Sequence, residues 1–263
     1  MKALKTNQIR IPTLEEVINR AYPSFFDTSA IFPTNICKKL YHITTIETLP
    51  TDMILELQSV INYSYSILNY DNVLVTNGVV EECKEFSRII SEKIGWFNGI
   101  LQSKKRSKKS GSKNREKFES LNKIGNELNF LVKKLQKKIF KVENEYLAEE
   151  IFQGVDWLTT KLELHYESPT NRYSKKTDQE VITAAICFVL MKEKEAYIVS
   201  GDIDLQKILE ASILWLSKKT FFKKYIISNP ITFFYFDGKK IGFVFSPMKK
   251  FENENNYHKN IKT

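Results

Sequence analysis

Histidine and cysteine are scarce in this sequence, with three of each among 263 residues. Cys37, Cys83 and Cys187 are far apart, odd in number and set among apolar neighbours. That spacing suggests neither a zinc site nor a disulfide framework, and it reads as small core residues. His42, His165 and His258 are equally scattered, which disfavours histidine-based catalysis and any imidazole-rich metal site. Long hydrophobic runs are missing too. No apolar stretch reaches the ~18 residues that a membrane span needs, and the opening "MKALKTNQIRIPTLEE" lacks the continuous apolar core of a signal peptide. The expected setting is the cytoplasm, with no membrane partner.

What is present is ordinary core-forming material and an excess of positive charge. At 42% hydrophobic residues the chain can bury one large domain, or a domain with a sizeable insertion. Forty Lys and Arg against 31 Asp and Glu give a formal charge of +9, which favours a polyanionic partner over an acidic-protein binder.

Along the chain, Thr13 and Glu16 form a capping-box pattern for a short N-terminal helix. It leads to a strand around Ser24 to Phe26. A helical stretch is expected after Pro33. "NVLVT", residues 72 to 76, reads as a second strand, followed by a loop at Asn77 and Gly78 and a helix from near Val79. Residues 103 to 117 hold eight Lys or Arg and one Glu with no apolar residue, and read as a mobile positive loop. Beyond it, apolar residues at 118, 121, 124, 128, 131, 135, 139 and 142 mark a long amphipathic helix expected to pair with the one before it. Thr177 and Glu180 suggest another capping box, opening a helix apolar nearly all round from Val181 to Met191. "AYIVSGDIDL" reads as a strand ending in acids, then a helix. "ITFFYFDGKKIGFVFSP" reads as an edge hairpin turning at Asp237 and Gly238. The tail from Lys249 is polar. Strands separated by helices predict an α/β domain with a largely parallel sheet.

In such sheets the ligand crevice lies beyond the carboxyl ends of the strands. Asp27 ends the first strand, and Asp202 with Asp204 ends "AYIVS", so both segments deliver carboxylates to one edge. Asp178 stands in the first turn of the apolar helix, over Ile182 and Ala185. Helical spacing puts Glu81 on a solvated face with Glu85, Arg88 and Glu92, whereas Glu82 borders the stripe of Val79, Cys83, Phe86 and Ile90, so Glu82 is the fourth acid. Carboxylates converging without basic partners raise one another's pKa unless a divalent cation neutralises them. Oxygen-only donors suit Mg²⁺ or Mn²⁺.

The ordered segments "FFDTSAI", "VTNGVVEEC", "TDQEVITAA" and "VSGDIDL" resemble the PIN-domain family of metal-dependent nucleases. The resemblance implies a parallel-sheet, Rossmann-like α/β PIN domain. It implies that Asp27, Glu82 (six residues past Thr76), Asp178, and Asp202 with Asp204 after Ser200 hold Mg²⁺ or Mn²⁺, directly or through water. It covers residues 22 to 96 and 151 to 246. The expected organisation is an N-terminal helical extension at 1–21, a PIN-like domain at 22–248 with a basic, helical insertion at about 97–150, and a polar tail at 249–263. The implied activity is hydrolysis of nucleic acid, single-stranded RNA ahead of DNA.

Each acid also has a structural reading. Asp27 can cap a turn, Asp178 is favoured by the helix dipole, and Asp202 can cap the next helix, leaving Asp204 as the ligand. The basic loop is a solvated connector or a polyanion contact. Tyr166, Arg172 and Tyr173 are ordinary loop residues, or stack on a substrate strand. The rival expectations are a catalytically inactive module binding RNA or protein, and a toxin-type ribonuclease held by an antitoxin. A homodimer through the heptad-like helix face is a further expectation.

Overall fold

The computed structural model of the chain describes residues 11–20, 22–32, 42–105, 112–162 and 176–247. Within them lies a five-stranded sheet in the order β2-β1-β3-β4-β5. The strands are β1 Ser24–Phe26, β2 Val73–Leu74, β3 Ala196–Ser200, β4 Ile231–Phe236 and β5 Ile241–Phe245. The first four run parallel, and β5 returns antiparallel along β4. Every residue of β1 and β3 is buried, as expected of parallel strands covered on both faces. The hairpin expected at Asp237 and Gly238 is there. Asp237 Oδ1 accepts the backbone N–H groups of Lys239 and Lys240, both at 2.9 Å, and Gly238 takes a φ of 91°.

Nine helices are described: α1 Leu14–Ile18, α2 Thr28–Ile31, α3 Thr51–Ile67, α4 Asn77–Lys105, α5 Ser112–Gln136, α6 Glu145–Lys161, α7 Thr177–Lys192, α8 Ile203–Ser217 and α9 Thr220–Ser228. Helix α7 is buried at Gln179 and at each position from Val181 to Val189, matching its all-round apolar sequence. Helix α1 forms with the capping box of Thr13 and Glu16. It belongs to the common core and does not stand apart, since Val17 and Ile18 are buried and Asn72 Nδ2 donates to the Ile18 carbonyl at 2.7 Å. Among the described residues no helix is long and apolar enough to cross a membrane.

Helices α4 and α5 form an antiparallel hairpin with an interior of Ile90, Phe97, Leu121, Ile124 and Leu128. Gly125 permits their close approach, because a Cβ there would stand 2.5 Å from Ile94 Cδ1. Helix α3 braces the pair, with Gln58 Nε2 donating to Glu127 Oε2 at 2.7 Å and the Tyr65 hydroxyl to the Glu127 carbonyl at 3.0 Å.

Several expectations need correction. The Lys-rich stretch at 103–117 is not simply a loop, because residues up to Lys105 continue α4 and Ser112 opens α5. Lysine is a good helix former, and the apolar faces on either side carry the helix into the polar stretch. Residues 106–111 lie outside those described. The amphipathic pattern does not yield one helix through 139 and 142. Helix α5 ends at Gln136, and the following residues leave to pair with the sheet, where Ile139 bridges Val75 in parallel and Phe140 donates its N–H to the Val75 carbonyl at 2.9 Å. A new helix, α6, then starts under the Asn144 side chain, which accepts the Leu147 N–H. Apolar residues recurring every three or four positions thus served a helix face up to Leu135 and a sheet edge afterwards. The stretch after Pro33, the tail from Lys249, and Tyr166, Arg172 and Tyr173 lie outside the described residues.

Candidate functional site

In the order β2-β1-β3, the chain leaves β1 to one side and comes back to the other, so the two parallel connections diverge between β1 and β3. Ligand crevices form outside the carboxyl ends of strands at such a reversal. Asp27 directly follows β1 and Asp202 follows β3 by two residues, with Phe26 paired to Val199 between them. The acids expected from these two segments therefore do reach one edge.

Asp27 is 4% exposed and is held from several directions. Its Oδ2 accepts the Ser29 hydroxyl at 2.5 Å, the Ser29 N–H at 3.2 Å and the Ser200 hydroxyl at 2.9 Å. Its own N–H donates to the Val199 carbonyl at 3.0 Å. It is the N-cap of α2, so the capping reading is correct. A cap alone needs no hydroxyl from another strand, however. Ser29 also accepts the Gly201 N–H at 2.8 Å, and Ser200 accepts the Asp202 N–H at 2.9 Å. One hydroxyl network thus ties the turn after β1 to the turn after β3.

Glu82, in the second turn of α4, faces this edge. Its carboxylate accepts the hydroxyls of Thr28 and, at 2.7 Å, of Thr177. Glu81 points away and pairs in solvent with Lys84. Burial, and next the Asp27 charge, push the Glu82 carboxyl up to about 7, against the pull of its two hydroxyl donors. Asp178 rises well above the usual carboxylate range. Burial is the main cause, followed by the charges of Asp27, Asp202, Glu82 and Asp204. Asp202 is also raised, chiefly by burial, with the Asp204 N–H and Lys207 opposing.

Asp202 does cap α8, its Oδ1 accepting the Asp204 N–H at 2.8 Å. Asp204, 5% exposed, meets the Lys207 ammonium at 2.6 Å. The capping box expected from Thr177 and Glu180 does not form. Lys176 is the N-cap of α7 and offers no side-chain bond, while the Thr177 hydroxyl goes to Glu82 and the Glu180 carboxylate accepts the Gly78 N–H at 2.7 Å. Both side chains were drawn away from their own helix by groups on α4. Buried carboxylates and helix-end N–H groups compete strongly for such partners.

Thr177, Ser200 and Glu180 are the site residues that the sequence reading did not single out as such. For Thr177 and Glu180 the signal was the capping-box spacing, assigned to the wrong partners. Ser200 was visible only as the residue that ends the strand.

The five acids Asp27, Glu82, Asp178, Asp202 and Asp204 supply oxygen donors only, and the Lys207 ammonium meets one of them, Asp204. In charge and donor type they fit a hard divalent ion. They do not form a ready-made shell, because among the described residues no three His, Cys, Asp or Glu side chains are grouped so as to hold one ion. Comparison of the chain with family models, with curated proteins and with solved structures gives no match.

Proposed function

We propose that the chain is a Mg²⁺- or Mn²⁺-dependent phosphodiesterase of the PIN type, hydrolysing nucleic acid, with single-stranded RNA as the preferred substrate. The observation that carries this reading is electrostatic. Four separate segments of the chain bring Asp27, Glu82, Asp178 and Asp202 with Asp204 to one edge, joined by the Ser29–Ser200 contact and by Thr28 and Thr177 on Glu82. There burial first and the neighbouring acids next raise the proton affinity of Asp178. Burial of like charges at the carboxyl edge of a parallel sheet is costly, and it marks functional sites more often than structural ones.

In this reading Asp27, Glu82, Asp178 and Asp202 hold the ion, and Asp204 adds a fifth carboxylate. When bound, the ion would acidify water and offset charge on the attacked phosphate. The chain's own residues do the positioning. Ser29 and Ser200 fix the Asp27 carboxylate, and Thr28 and Thr177 fix that of Glu82. The turn at Gly201 keeps the Asp202 backbone against Ser200.

The test is cleavage of single-stranded RNA and DNA with Mn²⁺ or with EDTA, comparing the natural chain with Asp27→Asn. Metal-dependent cleavage lost by at least a hundredfold in a folded Asp27→Asn protein supports the reading. Undiminished cleavage by that variant overturns it.

A second reading, binding without cleavage, is favoured by the concentration of positive charge on the α4–α5 hairpin. Nucleic-acid binding that survives EDTA, with no cleavage under any metal, would select it.

A further inference from the structure

We infer that the outer face of α5 is a docking surface for single-stranded nucleic acid, distinct from the acidic edge. It deepens the reading above by assigning substrate capture to the hairpin.

Charge partition is the first observation. Residues 104–141 hold 14 of the chain's 40 Lys and Arg but only three of its 31 Asp and Glu, so the rest of the chain is left with 26 against 28. The whole positive excess belongs to this segment, and the part that carries the acids is slightly negative. A polyanion would be repelled from the acidic edge by that part and attracted by the hairpin.

The second observation is what α5 shows to solvent beyond its first turns, which expose Glu116 and Glu119. The eight exposed residues between 122 and 137 are three Asn, one Gln, three Lys and Phe130, with no acid among them. Helix α4 pairs its outward charges, Arg88 with Glu85 and Glu92 and Lys84 with Glu81. Helix α5 does so at Arg115 with Glu119 and Lys123 with Glu127, so the acid-free part of its face is the one that carries Phe130, Lys133 and Lys137. Amide and ammonium groups are donors suited to phosphate and sugar oxygens. Phe130 stands in the middle of this face at 63% exposure, with Lys133 Nζ 5.5 Å from its ring centre. A single exposed aromatic is common by itself. An aromatic ring bordered by lysine within an acid-free amide face is the pairing that a base and its phosphate would occupy.

The third observation is placement. Ser87, five residues after Glu82, donates its hydroxyl to Asn129 at 2.9 Å. Five residues of helix span about 7.5 Å. The same antiparallel pairing sets Gly125 against Ile94, so Lys133 and Lys137 lie level with the first turns of α4, where Glu82 stands. A strand held on α5 is thus a few nucleotides from the acids.

The test is fluorescence anisotropy with labelled 20-nucleotide single strands of RNA and DNA, in EDTA, across 50 to 200 mM salt. The doubly substituted Lys133→Ala/Lys137→Ala chain should bind more weakly, with the slope of log affinity against log salt reduced by about 1.4, at ~0.7 per phosphate contact. Phe130→Ala should weaken binding about fivefold or more without changing that slope. Lys239→Ala/Lys240→Ala, an equal charge loss on the β4–β5 turn, should change little.

Four outcomes would overturn the inference. They are no binding by the natural chain, equal weakening in the turn variant, a duplex bound more tightly than the single strand, or equally good competition by polyglutamate, which would indicate an acidic protein partner. Because EDTA is present throughout, these results stand whether or not Asp27→Asn abolishes cleavage, so the two readings fail separately.

Discussion

The Thr177 hydroxyl donates to the Glu82 carboxylate at 2.7 Å across 95 positions of sequence. This bond joins the first residue of α7 to the second turn of α4 and sets Glu82 beside the residue that precedes Asp178. It explains why a carboxyl surrounded by other acids remains oriented toward them.

Thr177→Val keeps the shape of the side chain and removes this donor. A hydrogen bond to a charged group contributes ~1.5–3 kcal/mol, and chemical denaturation at pH 8 should show a loss toward the lower end of that range. The loss should be smaller at pH 5, where Glu82 carries its proton. An equal loss at both pH values would assign the effect to packing.

Stability of the metal-free protein should fall between pH 5 and pH 8. Glu82 binds its proton more tightly when folded, at about 7, than at its ordinary 4.5. The folded state therefore holds more protons than the unfolded state over that window, and stability decreases as pH rises through it. The benefit is complete below about 4.5 and gone above about 7. Two to three pKa units correspond to on the order of 3 kcal/mol, reduced to ~1–3 kcal/mol because Glu82 is only half-buried. Glu82→Gln should flatten the profile in thermal melts.

Divalent ions should act in the opposite sense. A ligand that binds only the folded protein stabilises by ~2.7 kcal/mol at a hundred times its Kd. For a chain of this size Mn²⁺ or Mg²⁺ should then raise Tm by several degrees at pH 8. The rise should shrink at pH 5, where protons compete for the acids, and should disappear in Asp178→Asn. A Tm unmoved by either ion at pH 8 would refute the metal site independently of any cleavage assay.

Gly201→Ala should destabilise by ~1–3 kcal/mol. A Cβ at this turn would stand 2.9 Å from the Phe236 carbonyl oxygen and 3.4 Å from the Ser29 hydroxyl. The carbonyl belongs to β4 and cannot swing aside as a side-chain end would. The same shift would displace the Ser29–Gly201 bond that ties the two acidic turns together. Cleavage, where present, should fall along with stability.

How much could be read in advance differs from element to element. The sheet strands at 24–26, 196–200 and 231–245 were legible because buried parallel strands need continuous apolar residues and the edge hairpin needs alternation with a turn residue of positive φ. The choice of Glu82 over Glu81 was legible from helical spacing alone. Ile139 was not, since one apolar residue every three or four positions suits both a helix face and a bridge to Val75. The destinations of Thr177 and Glu180 were also hidden. A hydroxyl and a carboxylate three residues apart satisfy a capping box within their own helix unless another element offers a better partner.

By itself, then, the sequence determined the class of fold, the strand ends that carry acids, and the separation of a basic segment from an acidic remainder, because all three follow from local pattern and composition. Tertiary structure alone decided which hydroxyls hold which carboxylates, where α5 stops, and that its last turns lie level with the start of α4. Those outcomes depend on competition among distant groups for buried hydrogen bonds and packing, and no local stretch of chain contains both competitors.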